Sequence, residues 1–108
     1  MNRGQFASIA AAVLLLAACG GNDRDGKNSA DMAIAIKNSG VALTTEPQVI
    51  FVRAERICDA IGTSDQYSAV SPYIGKGGER PMRAAIAYLC PDKVEGWDTA
   101  ASIARDLG

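Results

Sequence analysis

Histidine is absent from this chain of 108 residues. That removes the commonest general base, which is also the commonest metal ligand, from any site the chain can build. A basic excess is missing too, since Lys+Arg number 11 and Asp+Glu 12. A nucleic-acid binder wants a basic face, so nucleic acid is not an expected partner. No apolar run approaches the roughly 20 residues that a bilayer-spanning helix needs. Cysteine is scarce and odd in number, with three in all, so at least one cannot pair within the chain.

What is present begins at the N-terminus. Met1–Gln5 is short and carries Arg3, and Phe6–Leu16 is an apolar run of 11 residues followed by Ala17 and Ala18. Charge, apolar run and small residues in that order mark a secretory signal peptide. The run ends in "LAAC", Leu16 to Cys19. This resembles a bacterial lipobox, in which small side chains let the backbone enter a peptidase groove and a cysteine thiol carries the lipid. The resemblance implies cleavage before Cys19, a diacylglyceryl thioether on Cys19 and further acylation of the new amine. Two or three acyl chains anchor firmly where one is marginal. Gly20 is not the aspartate associated with inner-membrane retention, so outer-membrane sorting is expected if the source has two membranes. The alternative is an ordinary secreted protein cleaved near Ala18 with a free thiol.

These features divide the chain into a signal peptide (1–18), a lipidated cysteine with a flexible tether (19–30) and a small domain (31–108). Removing residues 1–18 takes away Arg3 and no acid, leaving a formal charge of about −2 on one small domain. The tether "GGNDRDGKNSA" lacks large apolar groups and reads as a flexible linker.

Beyond it the apolar periodicity is helical. The first helix runs from about Ala30 to Ser39, with Ser29 as cap and Gly40 beyond its end. In the second, Thr45 caps and Pro47 sits in the first turn, while Ile50, Ala54, Ile57, Cys58 and Ile61 form one face. A third, short helix spans Asp65 to about Ile74, with Pro72 late enough to bend or break it. Pro81 opens a fourth, with Met82, Ala85, Ile86, Leu89 and Cys90 on its stripe and Pro91 ending it. The last runs from about Val94 to Leu107. The expected fold is all-α, a disulfide-stapled bundle of four to five short helices.

The staple follows from the cysteines that remain. Export puts Cys58 and Cys90 in an oxidising compartment, and each lies on its helix's apolar stripe. A Cys58–Cys90 bond is therefore expected to join the second and fourth helices. The alternatives are a redox pair or a metal site. A catalytic redox pair usually reads C-x-x-C, which is absent, and two isolated cysteines without histidine make a poor zinc site.

"ICDAIG" (Ile57 to Gly62) followed by "AIAYLCP" (Ala85 to Pro91) resembles a small secreted actinobacterial helical domain, the domain of unknown function numbered 732. "IKNSGVAL" (Ile36 to Leu43) is similar to that domain's leading helix and glycine turn. The resemblance implies a helical fold with Cys58 and Cys90 paired, and it supplies no activity. Here "YLCP" places Leu89 between tyrosine and cysteine, and the helix with Trp97 extends past the family's usual end.

Few constellations suggest chemistry. Glu55 and Asp59 lie four apart, but Arg56 offers Asp59 a partner and the pair reads as a solvated face. "GKGG" (Gly75 to Gly78) lacks the spacing and hydroxyl of a phosphate loop. Arg80 and Arg83 are candidates for an anionic ligand, with Glu79 as an ordinary helix partner for Arg83. Ser64, Ser68 and Ser71 have no histidine to activate them. Trp97, Tyr67 and Tyr73, with Tyr88, are the large side chains that can form a binding surface, Trp97 foremost because a lone surface tryptophan is a common anchor, while the commoner role of such residues is core or half-buried packing. No cofactor is expected. The leading expectation is a non-catalytic, lipid-anchored envelope protein that binds another envelope protein or a peptide. The alternatives are a small redox or carboxylate-based envelope enzyme and an immunity- or exclusion-type inhibitor.

Overall fold

In the computed structural model, which describes residues 24–107, every element is helical. The elements are α1 (Ser29–Asn38), α2 (Pro47–Ala60), α3 (Gln66–Val70), α4 (Glu79–Leu89) and α5 (Val94–Leu107), with 3₁₀ turns at Ser71–Tyr73 and Pro91–Lys93. The all-α bundle read from the periodicity is the fold. Residues 1–18 and Cys19 lie outside the described residues, and so do the signal peptide and lipobox expectations.

The helix ends follow from local chemistry, and some differ by a residue or two from the sequence pattern. Asn28, not Ser29, caps α1, its side-chain oxygen accepting the Asp31 N–H at 2.8 Å. An Asn at this position satisfies one of the orphan donors of the first turn. Thr45 lies outside α2, whose cap position is Glu46 without a side-chain cap bond and whose first residue is Pro47. Proline's missing N–H costs nothing there and its fixed φ suits the turn. α3 stops at Val70 and tightens into the 3₁₀ turn that contains Pro72, because the ring removes a helical donor. α4 starts two residues ahead of Pro81. Gly62 follows α2 at φ +92°, a left-handed conformation that is strained for any side chain.

α2 and α4 pack together at the centre; α1 lies against both, while α3 and α5 close the other side. The apolar stripes meet here. Met32 and Ile36 of α1, Ala54 and Ile57 of α2, and Ile86 and Leu89 of α4 are all buried. No charged or polar residue is buried among the described residues. Cys58 and Cys90 are bonded, with Cα atoms 6.2 Å apart, tying the C-terminal end of α2 to that of α4. The bond closes a loop whose ends are 32 residues apart. In the chain-entropy view this is worth about 3.7 kcal/mol, comparable to the margin of a small domain.

The tether expectation needs a correction in its second half. From Arg24 the chain is held on the bundle. The Arg24 guanidinium meets the Asp59 carboxylate at 2.6 Å, and the Lys27 ammonium donates to the Tyr88 carbonyl at 2.7 Å. Lys27 also sits 5.3 Å from the centre of the Tyr88 ring. A cation there satisfies orphan carbonyls at the negative end of the α4 dipole and gains from the ring face.

Candidate functional site: a basic-edged groove

The face of α4 that turns toward α1 carries Arg80, Ala84, Ala87 and Tyr88, residues spaced to share one side of a helix. Across from them stand Ala35 of α1, Ser39 at its C-cap and, just beyond, Val41. Together with Arg83 they line a groove of about 450 Å³. The three alanines make the cleft, because their methyl groups stop short of the opposite wall. Lys27, just before α1, contacts Tyr88 near the end of α4, while Thr44 and Thr45, beyond α1, line a small hollow with Gly78 and Pro81 at the start of α4. α1 and α4 are therefore antiparallel, with Arg80 at one end of the groove and Tyr88 at the other.

A second, more apolar hollow continues from Val41. It is lined by Ala33, Ile34, Lys37, Gly40, Ala42 and Leu43 and measures about 540 Å³. Ile34 is 59% exposed. The two hollows share Val41, and their ionic lining groups are Lys37, Arg80 and Arg83, with no carboxylate. Among the described residues neither Lys37 nor Arg80 has an ion pair. A positive rim around apolar walls is complementary in charge to a group that is negative and partly apolar.

Arg83 is held rather than available. Its Nε and Nη2 donate to the two Asp98 carboxylate oxygens, each at 2.8 Å. That hydrogen bonding holds the Asp98 carboxyl below the usual carboxylate range, and Asp98 in turn raises the Arg83 guanidinium further. Glu79, the helix partner expected for Arg83, instead pairs with Arg105 and accepts the Gly75 N–H at 2.8 Å. The "GKGG" loop is thus tied to the first turn of α4. Asp59 pairs with Arg24 instead of Arg56.

Burial decides between the two readings of the aromatics and corrects the surface reading for Trp97. Trp97 is 1% exposed and cannot serve as a surface anchor. Its helix turns it inward, with the Tyr73 ring 6.5 Å away at a 41° tilt. Tyr73 is half-buried against the same core. Tyr67 alone of the three is exposed, at 40%. It borders a separate depression with Ser71, Ile74, Lys76, Ala104 and Arg105. The sequence did signal Arg80 and Arg83, but not the alanines between them and Tyr88, because only the packing of α1 turns those alanines into a wall.

Cys58 and Cys90 are 1% and 3% exposed. No helix among the described residues is long and apolar enough to cross a membrane. Comparison with protein-family models, with curated proteins and with solved structures finds no match to this chain.

Proposed function

We propose that this chain is a lipid-anchored protein of the cell envelope, without catalytic activity, that holds an acidic segment of another envelope protein or a peptide in the groove between α1 and α4. The observation that carries the anchoring is the division of the cysteines. Cys58 and Cys90 are bonded to each other, and the third, Cys19, stands at the end of "LAAC" behind an apolar run and Arg3. In that setting a single cysteine has a chemical reason to be there, as the thiol that takes a diacylglyceryl group. Outer-membrane sorting follows from Gly20 if the cell has two membranes.

The binding role is supported by the rim of Lys37 and Arg80 around small apolar walls. A redox role is disfavoured by burial of both sulfur-bearing residues, since thiol–disulfide exchange needs access to a sulfur. An immunity or inhibitor role would be one form of the same binding.

In-cell photocrosslinking tests the proposal. A crosslinker at Ala84 or Ala87 is expected to capture a defined partner, and Arg80→Glu in the same chain is expected to abolish that capture. A crosslinker at Ile103, which is exposed on α5 and lines neither hollow, serves as the reference. The proposal fails if Ile103 captures the same species, or if Arg80→Glu leaves capture from Ala84 unchanged.

A further inference from the structure

We infer that Arg24 to Asn28 form a strap that sets how the domain stands on the membrane, with the C-terminal ends of α2 and α4 facing the bilayer and the Arg80 end of the groove facing away. This rests on the anchoring at Cys19 proposed above.

Three contacts place the strap. Arg24 pairs with Asp59 in the last turn of α2. Lys27 donates to the carbonyls of Tyr88 at 2.7 Å and Leu89 at 3.5 Å, at the end of α4. Cys58 is bonded to Cys90, so these two helix ends are one end of the bundle. The strap therefore grips a single, rigid end at two points. Asn28 then caps α1, which passes the constraint on without a gap into the first helix.

Covalent reach converts the grip into orientation. An unstrapped chain from Cys19 to Ser29 takes ten peptide steps and can extend about 35 Å; from Cys19 to a clasped Arg24 it takes five and reaches about 17 Å. Arg80 lies about 12 Å farther along the α4 axis than Tyr88. The strap thus halves the reach of the lipid and fixes its point of attachment to one end of the bundle, which biases that end toward the bilayer. The far end of the groove points to the space where a partner approaches. Charge does not set this orientation. The strapped end carries Arg24, Lys27 and Lys93 but also Asp25, Asp59 and Asp92.

The test uses the full lipidated chain, ¹⁵N-labelled, in phosphatidylcholine nanodiscs that contain a headgroup nitroxide lipid. The neutral lipid leaves only the tether to orient the domain. The amides of Gly62, Thr63 and Asp92 are expected to broaden severalfold more than those of Gly77, Gly78 and Arg80. Arg24→Asp with Lys27→Ala is expected to remove most of that difference while the Trp97 indole signal stays in place, showing an intact core. Arg24→Asp alone should reduce the difference, and adding Asp59→Arg should restore it by reversing the pair. Equal broadening at both ends of the parent, or a pattern unchanged in the double variant, overturns the inference. Failure of the anchoring reading looks different: no broadening anywhere and no acyl mass on Cys19, a result that removes both.

Discussion

Arg83 on α4 and Asp98 on α5 form a two-pronged ion pair, Nε to Oδ1 and Nη2 to Oδ2, with both bonds 2.8 Å long. It pins α5 to the helix that builds one wall of the groove and takes Arg83 out of the pool of charges open to a ligand. The pair is half-exposed, with side-chain exposures of 49% and 52%, so water screens much of its strength.

The pair makes the stability weakly dependent on pH. The Asp98 carboxyl is lowered, chiefly by its bond to Arg83 and with a smaller contribution from Arg105. A carboxylate lowered in the folded state stabilises fully above its unfolded pKa, and the gain is lost as pH falls through the folded value. Asp98→Asn is therefore expected to cost less than about 1 kcal/mol near neutral pH. The difference should vanish under acid conditions in urea titrations of both proteins. A difference that grows on acidification would contradict the assignment.

The disulfide carries more weight. Cys58→Ser with Cys90→Ser should lower stability by about 3.7 kcal/mol, read as a fall in the urea midpoint together with a weakened helical circular dichroism in the absence of denaturant, because the bond is comparable to the whole margin of a small domain. Cys19→Ala should leave that midpoint unchanged. A double-serine variant within about 0.5 kcal/mol of the parent, the range of ordinary surface changes, would mean that packing alone holds α2 to α4.

Gly96 has a tertiary reason to be glycine although it lies inside α5. A Cβ built there overlaps Cγ2 of Ile61, which is buried at the end of α2. Helix propensity alone favours Gly96→Ala by about 1 kcal/mol, while overpacking costs about 1–3 kcal/mol. The expected net effect is destabilising, and Gly96→Ala with Ile61→Val should not recover the loss because valine keeps the branch at Cβ. Ile61→Ala should lessen the additional cost of Gly96→Ala. A Gly96→Ala protein that melts higher than the parent would contradict the contact.

Trp97 should behave as a core residue. Its emission is expected to be blue-shifted and resistant to acrylamide quenching, and Trp97→Ala should cost about 3–5 kcal/mol. Quenching as ready as in the urea-unfolded chain would place the indole at the surface instead.

Much of the bundle was legible because its signals are local. The stripes of α2 and α4 fall at helical intervals, Pro47 and Pro72 act on their own turns, and the cysteines lie on two inward faces. What the pattern did not reveal depends on packing between distant segments. Trp97 reads more readily as core than as anchor, and only the closure of α3 and α5 over it decides the matter. Arg24 and Lys27 sit in a polar stretch with the composition of a linker, and only the carboxylate of Asp59 and the carbonyls at the end of α4 make them a strap. Gly96 has no turn to explain it, since its reason is the Ile61 side chain. The groove was half-visible, through Arg80 and Arg83; the alanine walls became a cavity only with α1 in place.

The central claim is that the protein begins at a lipid-bearing Cys19 and continues into a stapled domain. It is tested most directly by mass spectrometry of the N-terminal tryptic peptide of the protein extracted from membranes. The account predicts a peptide that starts at Cys19, ends at Arg24 and carries diacylglyceryl and acyl mass. A peptide that retains residues before Cys19, or begins at an unmodified Cys19, would contradict it.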